Sequence, residues 1–309
     1  MSKPASIPLR AWADLGLLAL IWGAVFMFVS LALREMAPMW IVFTRVFWGA
    51  LLLWAYVLIR GLPTPRGARP WFDFLIMGTL NNVLPFTLIA WGQTSVESGL
   101  ASILNGATAF FGILVAAMLL ADERLSARRL LGVLIGLAGV GVIIGPEALS
   151  GFDLRALGQI AILGATISYS FAGVWAKRRL KGQPPAVSAA GMLTGSAVIM
   201  LPLALLAEGA PPWPLSPLTF GALGYISVLA TAGGFLLYYR ILASAGSGNL
   251  MLVTICMPPI SIALGAIFLG ERLAPGVFLG AGLILFGLLV IDGRAPQAIH
   301  RLAHRARGA

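Results

Sequence analysis

Glu123-Arg124-Leu125, followed by Leu131-Gly132, Gly139 and Val142, returns 148 residues further on as Glu271-Arg272-Leu273, followed by Leu279-Gly280, Gly287 and Val290. Single Gly and Leu matches arise by chance in an apolar chain, but a charged triplet at a fixed distance before matched glycines marks an internal repeat. Around the two copies the chain divides into apolar stretches at 15–33, 39–59, 74–91, 99–121, 130–145, 156–176, 186–207, 218–239, 249–270 and 274–291. Each is near the roughly 20 residues that cross about 30 Å of hydrocarbon. Five spans, an odd number, separate the two triplets, so they fall on opposite faces of the membrane. That is an inverted-topology repeat, the architecture of secondary transporters.

The composition agrees. Of 309 residues, 59% are hydrophobic and 10% charged, and the mean hydropathy is +0.94; an ordinary soluble domain carries about 25% charged residues. In lipid only helices and closed barrels satisfy their own backbone, and these Leu, Ala, Gly and Val runs lack the alternation of barrel strands. The expected fold is an all-α integral membrane protein: ten transmembrane helices forming two inverted five-helix repeats, 12–145 and 156–291, around a central cavity, then a basic cytoplasmic tail, 292–309. The boundary between spans eight and nine is the least marked, with Arg240 alone interrupting the apolar run.

The net charge of +10 does not signal nucleic acid, because the basic residues sit between apolar spans and not on a water-facing surface. Seventeen Lys and Arg lie on one side of the ten spans and three, Arg34, Arg155 and Arg272, on the other. The positive-inside rule then places both termini in the cytoplasm of a bacterial-type inner membrane. Lys3 and Arg10 ahead of the first apolar run loosely resemble a signal peptide, but that run exceeds an h-region of about 7–15 residues and reads as the first span. The lone Cys256 lies inside a span and permits no intrachain disulfide.

Catalysis is tested by inventory. His300 and His304 fall in the basic tail beside Arg301 and Arg305, a lipid-surface pattern more than a metal pair. No Asp, Glu or Lys lies deep in a span, so no catalytic triad, metal site or carboxylate pair assembles in the membrane. Neither enzyme activity nor a cofactor or metal is expected.

The triplets and their glycines, together with Ile21-Trp22-Gly23 in span one, resemble the drug/metabolite transporter superfamily, specifically its ten-helix exporters built from two EamA repeats. The likeness covers about residues 12–291 and is nearest to bacterial YddG-type exporters. It implies export of aromatic and other neutral amino acids, with a cavity lined by spans one, three, four, six, eight and nine, and spans five and ten at the periphery. Ser168-Tyr169 stand where a Trp is common in that family.

Helix breakers locate the expected site. Pro85 in span three corresponds, at the repeat offset, to Gly233 beside Gly234 in span eight; Asn105-Gly106 in span four corresponds to the stretch from Thr254 to Pro258-Pro259 in span nine. Broken helices at matching positions of two halves line a cavity or are covered by protein. Helical spacing groups Gly78, Asn81, Asn82, Pro85 and Ile89 on one face, and Ala101, Asn105, Thr108 and Gly112 on the next. In the second half the matching faces carry Ser227, Thr231, Gly234 and Tyr238, then Leu250, Thr254, Met257 and Ser261. These faces read either as a polar pocket or as packing seams. Substrate contact is expected at Trp22, Asn81, Asn82, Asn105, Thr108, Ser168, Tyr169, Thr231, Tyr238, Thr254 and Met257, with gating at Pro85, Gly106, Gly233, Gly234, Pro258 and Pro259.

Trp12, Trp40, Trp71 and Trp213 read as interfacial anchors, as do Trp91 and Tyr239 near their span ends. Arg45, inside span two, is expected to snorkel outward; facing the cavity to attract a carboxylate, or pairing with Glu97, are the alternatives. Glycines 132, 136 and 139 in span five and 276 and 280 in span ten form ridges for the other half or for a second protomer, so the chain is expected as a monomer or homodimer. The expected function is alternating-access export of amino acids by facilitated diffusion, as two five-helix bundles rock about the site. Export of organic or quaternary ammonium cations, or proton-coupled drug/metabolite antiport, are the rivals.

Overall fold

A computed structural model describes residues 9–123, 125–145, 154–245 and 247–292. Arg124, in the middle of the first triplet, and the tail with His300 and His304 lie outside the described residues. Ten helices are long and apolar enough to cross a membrane: α1 Arg10–Ala32, α2 Pro38–Ile59, α3 Ala68–Gly92, α4 Ser98–Leu119, α5 Ala127–Ile144, α6 Leu154–Arg179, α7 Pro185–Glu208, α8 Pro217–Ser244, α9 Leu252–Leu269 and α10 Pro275–Asp292. No strand occurs among the described residues. Several helices begin earlier or end later than the apolar runs, because polar first and last turns such as Lys177 to Arg179 remain helical beyond the hydrocarbon. Arg240 does not divide α8; it sits inside the helix and forms a two-pronged ion pair with Asp14 of α1.

The repeat is visible in how the helices meet. α5 packs on α10 and α2 on α7, each helix against its own counterpart; α1 packs on α8 and α9 while α6 packs on α3 and α4. The first helix of each repeat therefore crosses into the other half. Two hydrophobic cores result. One takes α2, α3, α7 and much of α8, the other α4, α5, α9 and α10; α1 and α6 supply buried residues to both, and Ile21, Trp22 and Tyr169 border on both. Ile21 and Tyr169 are themselves one repeat offset apart.

Close approach of α5 and α10 needs glycine. A Cβ on Gly132 would lie 2.7 Å from the carbonyl oxygen of Gly287, and one on Gly139 2.6 Å from that of Gly280. The four glycines matched at the offset of 148 pair crosswise, the first of one helix with the second of the other, as a pseudo-two-fold axis between antiparallel helices requires. This seam joins the two halves of one chain at Gly132, Gly139 and Gly280, whereas a Cβ on Gly136 would meet Phe110 of α4 and one on Gly276 would meet nothing within 4 Å.

Candidate substrate site

The interruptions in α3 and α8 are stretches of wider helical turn, Thr79–Val83 and Tyr225–Gly233. In α3 the cause is local: Pro85 follows, and without an N–H it cannot continue the α-helical ladder back to Asn81. In α8 the stretch ends at Gly233-Gly234, the residues of lowest helix propensity after proline. A side chain from the first helix of the opposite repeat reaches the backbone of each. The Ser168 hydroxyl of α6 donates to the Leu80 carbonyl at 2.7 Å, and the Trp22 indole N–H of α1 donates to the Ala230 carbonyl at 3.0 Å. Neighbouring helices satisfy irregular backbone within a bilayer in this way. Gly234 is required by the second contact, since a Cβ there would sit 2.5 Å from the Trp22 Nε1.

α4 is also broken. Its α-helix stops at Asn105 and restarts at Thr108, with a tight turn through Gly106 and Ala107, and the Thr108 hydroxyl donates back to the Asn105 carbonyl at 2.7 Å. The Asn105 Oδ1 is buried and has no donor among the described residues. α9 differs from the expectation. α-Helical structure runs through Pro258 and Pro259 without a break, and the departure comes at Gly265–Leu269. Two prolines delete two intrahelical bonds, but packing against α1 holds the axis: the Ser261 hydroxyl, one turn on, donates to the Gly23 carbonyl at 2.6 Å.

Where the two cores meet, at Trp22 and Tyr169, lies a polar and aromatic cluster that reaches into the first core through Phe86. The Arg45 Nε–H of α2 donates to the Thr231 hydroxyl at 2.8 Å, and that hydroxyl donates to the Ile226 carbonyl at 2.8 Å. The guanidinium carbon lies 3.7 Å from the centre of the Phe86 ring, whose centroid is 6.5 Å from that of Tyr169. On α1 and α8, Trp22 and Tyr238 have ring centroids 5.8 Å apart; Phe28 stacks on Tyr225 at 3.9 Å, and the Tyr225 hydroxyl donates to the Ile21 carbonyl.

Two stretches, residues 12–145 and 156–292, match the EamA-like transporter family. The chain belongs to this family. An uncharacterized transporter of Archaeoglobus fulgidus is 27% identical over 90% of this EamA protein and 94% of its own length. Proteins named "Probable amino-acid metabolite efflux pump" from Salmonella typhimurium and Escherichia coli are 27% and 26% identical, each over 89% of this chain and 92% of theirs. A solved crystal structure at 20% identity shares the fold, with a TM-score of 0.66 over 94% of this chain and 98% of its own.

Within this EamA fold the residues expected at the site separate into groups. Trp22, Tyr169, Thr231 and Tyr238 belong to the central cluster, and Asn105, Thr108 and Gly106 form the break in α4. Asn81 and Asn82 instead face α7: the Asn82 amide, fully buried, donates to the Ser196 hydroxyl at 3.0 Å, and the Asn81 amide lies 3.8 Å from the Met192 sulfur. Gly78, on the same face, would place a Cβ 2.4 Å from the Met192 carbonyl oxygen. These three positions pack on α7. Ser168 serves the backbone of α3, Met257 is buried in the second core, and Thr254 is half-buried on α9.

Arg45 overturns the snorkelling expectation. Thr231 lies midway along α8, so a guanidinium bonded to it is held at mid-depth and not drawn to the surface. Glu97 is no partner of Arg45; it pairs with Arg155 at 3.1 Å. Trp40 is buried, its indole N–H donating to the Gly209 carbonyl at 3.0 Å, while Trp12, Trp71, Trp91 and Trp213 are exposed as anchors would be. Sequence reasoning passed over Phe86, Phe28 and Tyr225. The available signal was Arg45 itself, since a charge inside a span marks a functional site by default.

Proposed function

We propose that this protein exports amino acids, aromatic and other neutral ones, across a bacterial inner membrane in which both its termini are cytoplasmic. The observation that carries the reading is the pair of interrupted helices, α3 and α8, matched across the repeat and meeting at a cluster that combines aromatic rings with a charged and hydrogen-bonding centre. Such a constellation suits a substrate with an apolar side chain and a polar head. The relatives named as efflux pumps point the same way. The orphaned Asn105 Oδ1 beside the α4 break supplies an acceptor for a substrate ammonium.

Because each core mixes both repeats, the moving units in this reading are the two cores, with the interrupted stretches of α3 and α8 as hinges; α8 gives Ala232 to the first core and Leu237 and Ile241 to the second. Rocking of the two sequence halves as rigid bundles would tear both cores. Transport runs down the substrate gradient, since Asp14 and Asp73, the buried carboxylates among the described residues, are both held in ion pairs at helix ends, with Arg240 and Arg179. The positive centre at Arg45 disfavours the quaternary-cation reading. Purified protein in liposomes is expected to exchange labelled phenylalanine without an imposed ion gradient. Uphill uptake driven by a pH gradient would overturn the facilitator mechanism, and movement of lipophilic cations but no amino acid would overturn the substrate.

A further inference from the structure

Arg45 carries a charge that the fold does not neutralise. Six ion pairs occur among the described residues, and none involves Arg45. Its contacts are one hydrogen bond from Nε to Thr231 and the face of Phe86. A guanidinium has five N–H donors in a rigid fork, and it stays protonated throughout the physiological range. With Nε committed to Thr231, the edge formed by the two terminal nitrogens has no hydrogen-bond acceptor among the described residues. That edge can take a carboxylate in two parallel bonds. Thr231 in turn is fixed, because its hydroxyl proton is directed to the Ile226 carbonyl and its lone pair to Arg45. Gly49 of α2 keeps this contact close: a Cβ there would lie 2.7 Å from the Thr231 methyl. The side chain is therefore built into place between α2, α3 and α8, in the aromatic cluster where the two cores meet.

We propose that Arg45 is the carboxylate anchor of the transport site, so that the substrates are organic carboxylates with an apolar or aromatic group, bound by the free edge of the guanidinium. The proposal rests on the transport reading above and narrows it: a free carboxylate is preferred over an amide or ester, and organic cations are rejected. Phe86 and Thr231 position the guanidinium, and they hold it when the site is empty.

The test uses the full-length protein in nanodiscs and four probes: phenylalanine, phenylpropionate, phenylalaninamide and tetraethylammonium. Binding is read by calorimetry, and transport is read separately in liposomes. The wild type is expected to bind phenylalanine about 10- to 100-fold more tightly than phenylalaninamide, the range for losing a charged hydrogen-bonded pair. It should also bind phenylpropionate, and it should not bind tetraethylammonium. In Arg45→Gln the preference for acid over amide should disappear, the acid falling further than the amide. Arg45→Lys should restore part of it, since an ammonium attracts a carboxylate but lacks the fork. A variant of merely structural effect would weaken acid and amide alike. Equal binding of acid and amide by the wild type overturns the proposal even if Arg45→Gln does not fold, and so does an undiminished preference in Arg45→Gln. If liposomes exchange phenylalanine and phenylalaninamide equally, the transporter reading stands and the anchor falls. If carboxylate binding depends on Arg45 but no amino acid crosses the bilayer, the anchor stands and the export reading falls.

Discussion

Alanine at Gly139 tests the crossed glycine seam directly. The new Cβ would lie 2.6 Å from the Gly280 carbonyl oxygen and 2.8 Å from the Leu283 Cβ. Carbon and oxygen pack at about 3.3 Å or more, so α10 must retreat by roughly 0.7 Å. A gap of about 0.5–1 Å forfeits a quarter to a half of each dispersion contact along the helix pair, and overpacking of this kind costs about 1–3 kcal/mol. Replacing a helical glycine also gains up to about 1 kcal/mol of propensity, which would mask part of the loss. Gly141→Ala on the same helix cancels that gain, because nothing lies within 4 Å of its added Cβ. Reversible unfolding of the purified protein in detergent should therefore place Gly139→Ala about 1–3 kcal/mol below Gly141→Ala. Gly132→Ala combined with Gly287→Ala should cost less than the sum of the two, since both act at one crossing and the helices are already apart after the first. Equal stability of the Gly139 and Gly141 variants would refute the close approach, and with it the pseudo-two-fold contact between the halves.

Glu271→Gln should destabilise by about 1.5–3 kcal/mol, because the carboxylate accepts from the Ser98 and Gly99 N–H groups at 2.7 and 3.1 Å and from the Ser98 hydroxyl, capping α4. Glu97→Gln, which loses an exposed pair with Arg155, should cost about 1 kcal/mol at most; the reverse order in unfolding experiments would contradict this. Ser196→Ala leaves the buried Asn82 amide without its acceptor and should cost about 1–3 kcal/mol while leaving transport per folded molecule intact. A selective loss of substrate affinity would instead return Asn82 to the site. The Ser216 hydroxyl, and then its backbone N–H, hold the exposed Glu35 carboxyl below the usual carboxylate range. A depressed folded-state pKa contributes stability above the unfolded-state value and loses it as pH falls through the folded one. In Ser216→Ala, carbon-13 NMR of the Glu35 carboxyl should show its titration moving up, and an unmoved midpoint would refute the assignment.

The α5–α10 seam shows why some of this fold was open to reading. Gly132, Gly139, Gly280 and Gly287 recur at one offset because the same close crossing is made twice, and a position where any Cβ clashes leaves an imprint on sequence. Pro85 and Gly233-Gly234 were legible for the same local reason, since they act on their own backbone. Pro258-Pro259 misled, because a helix held by neighbours tolerates missing bonds that would break it in isolation. Asn81 and Asn82 share a face with Gly78, as helical spacing gives, but that this face meets Met192 and Ser196 of α7 depends on how the helices pack.

Hydropathy, loop charge and the internal repeat were sufficient to specify ten helices in two inverted halves, because the bilayer forces each span to satisfy its own backbone and each loop to reach water. The exchange of α1 and α6 between halves, the mixed cores and the inward hold on Arg45 by Thr231 and Phe86 arose only in the packed molecule. Those features depend on which residue from a distant segment fills a given space, and pairwise proximity between segments is not a property of any one of them.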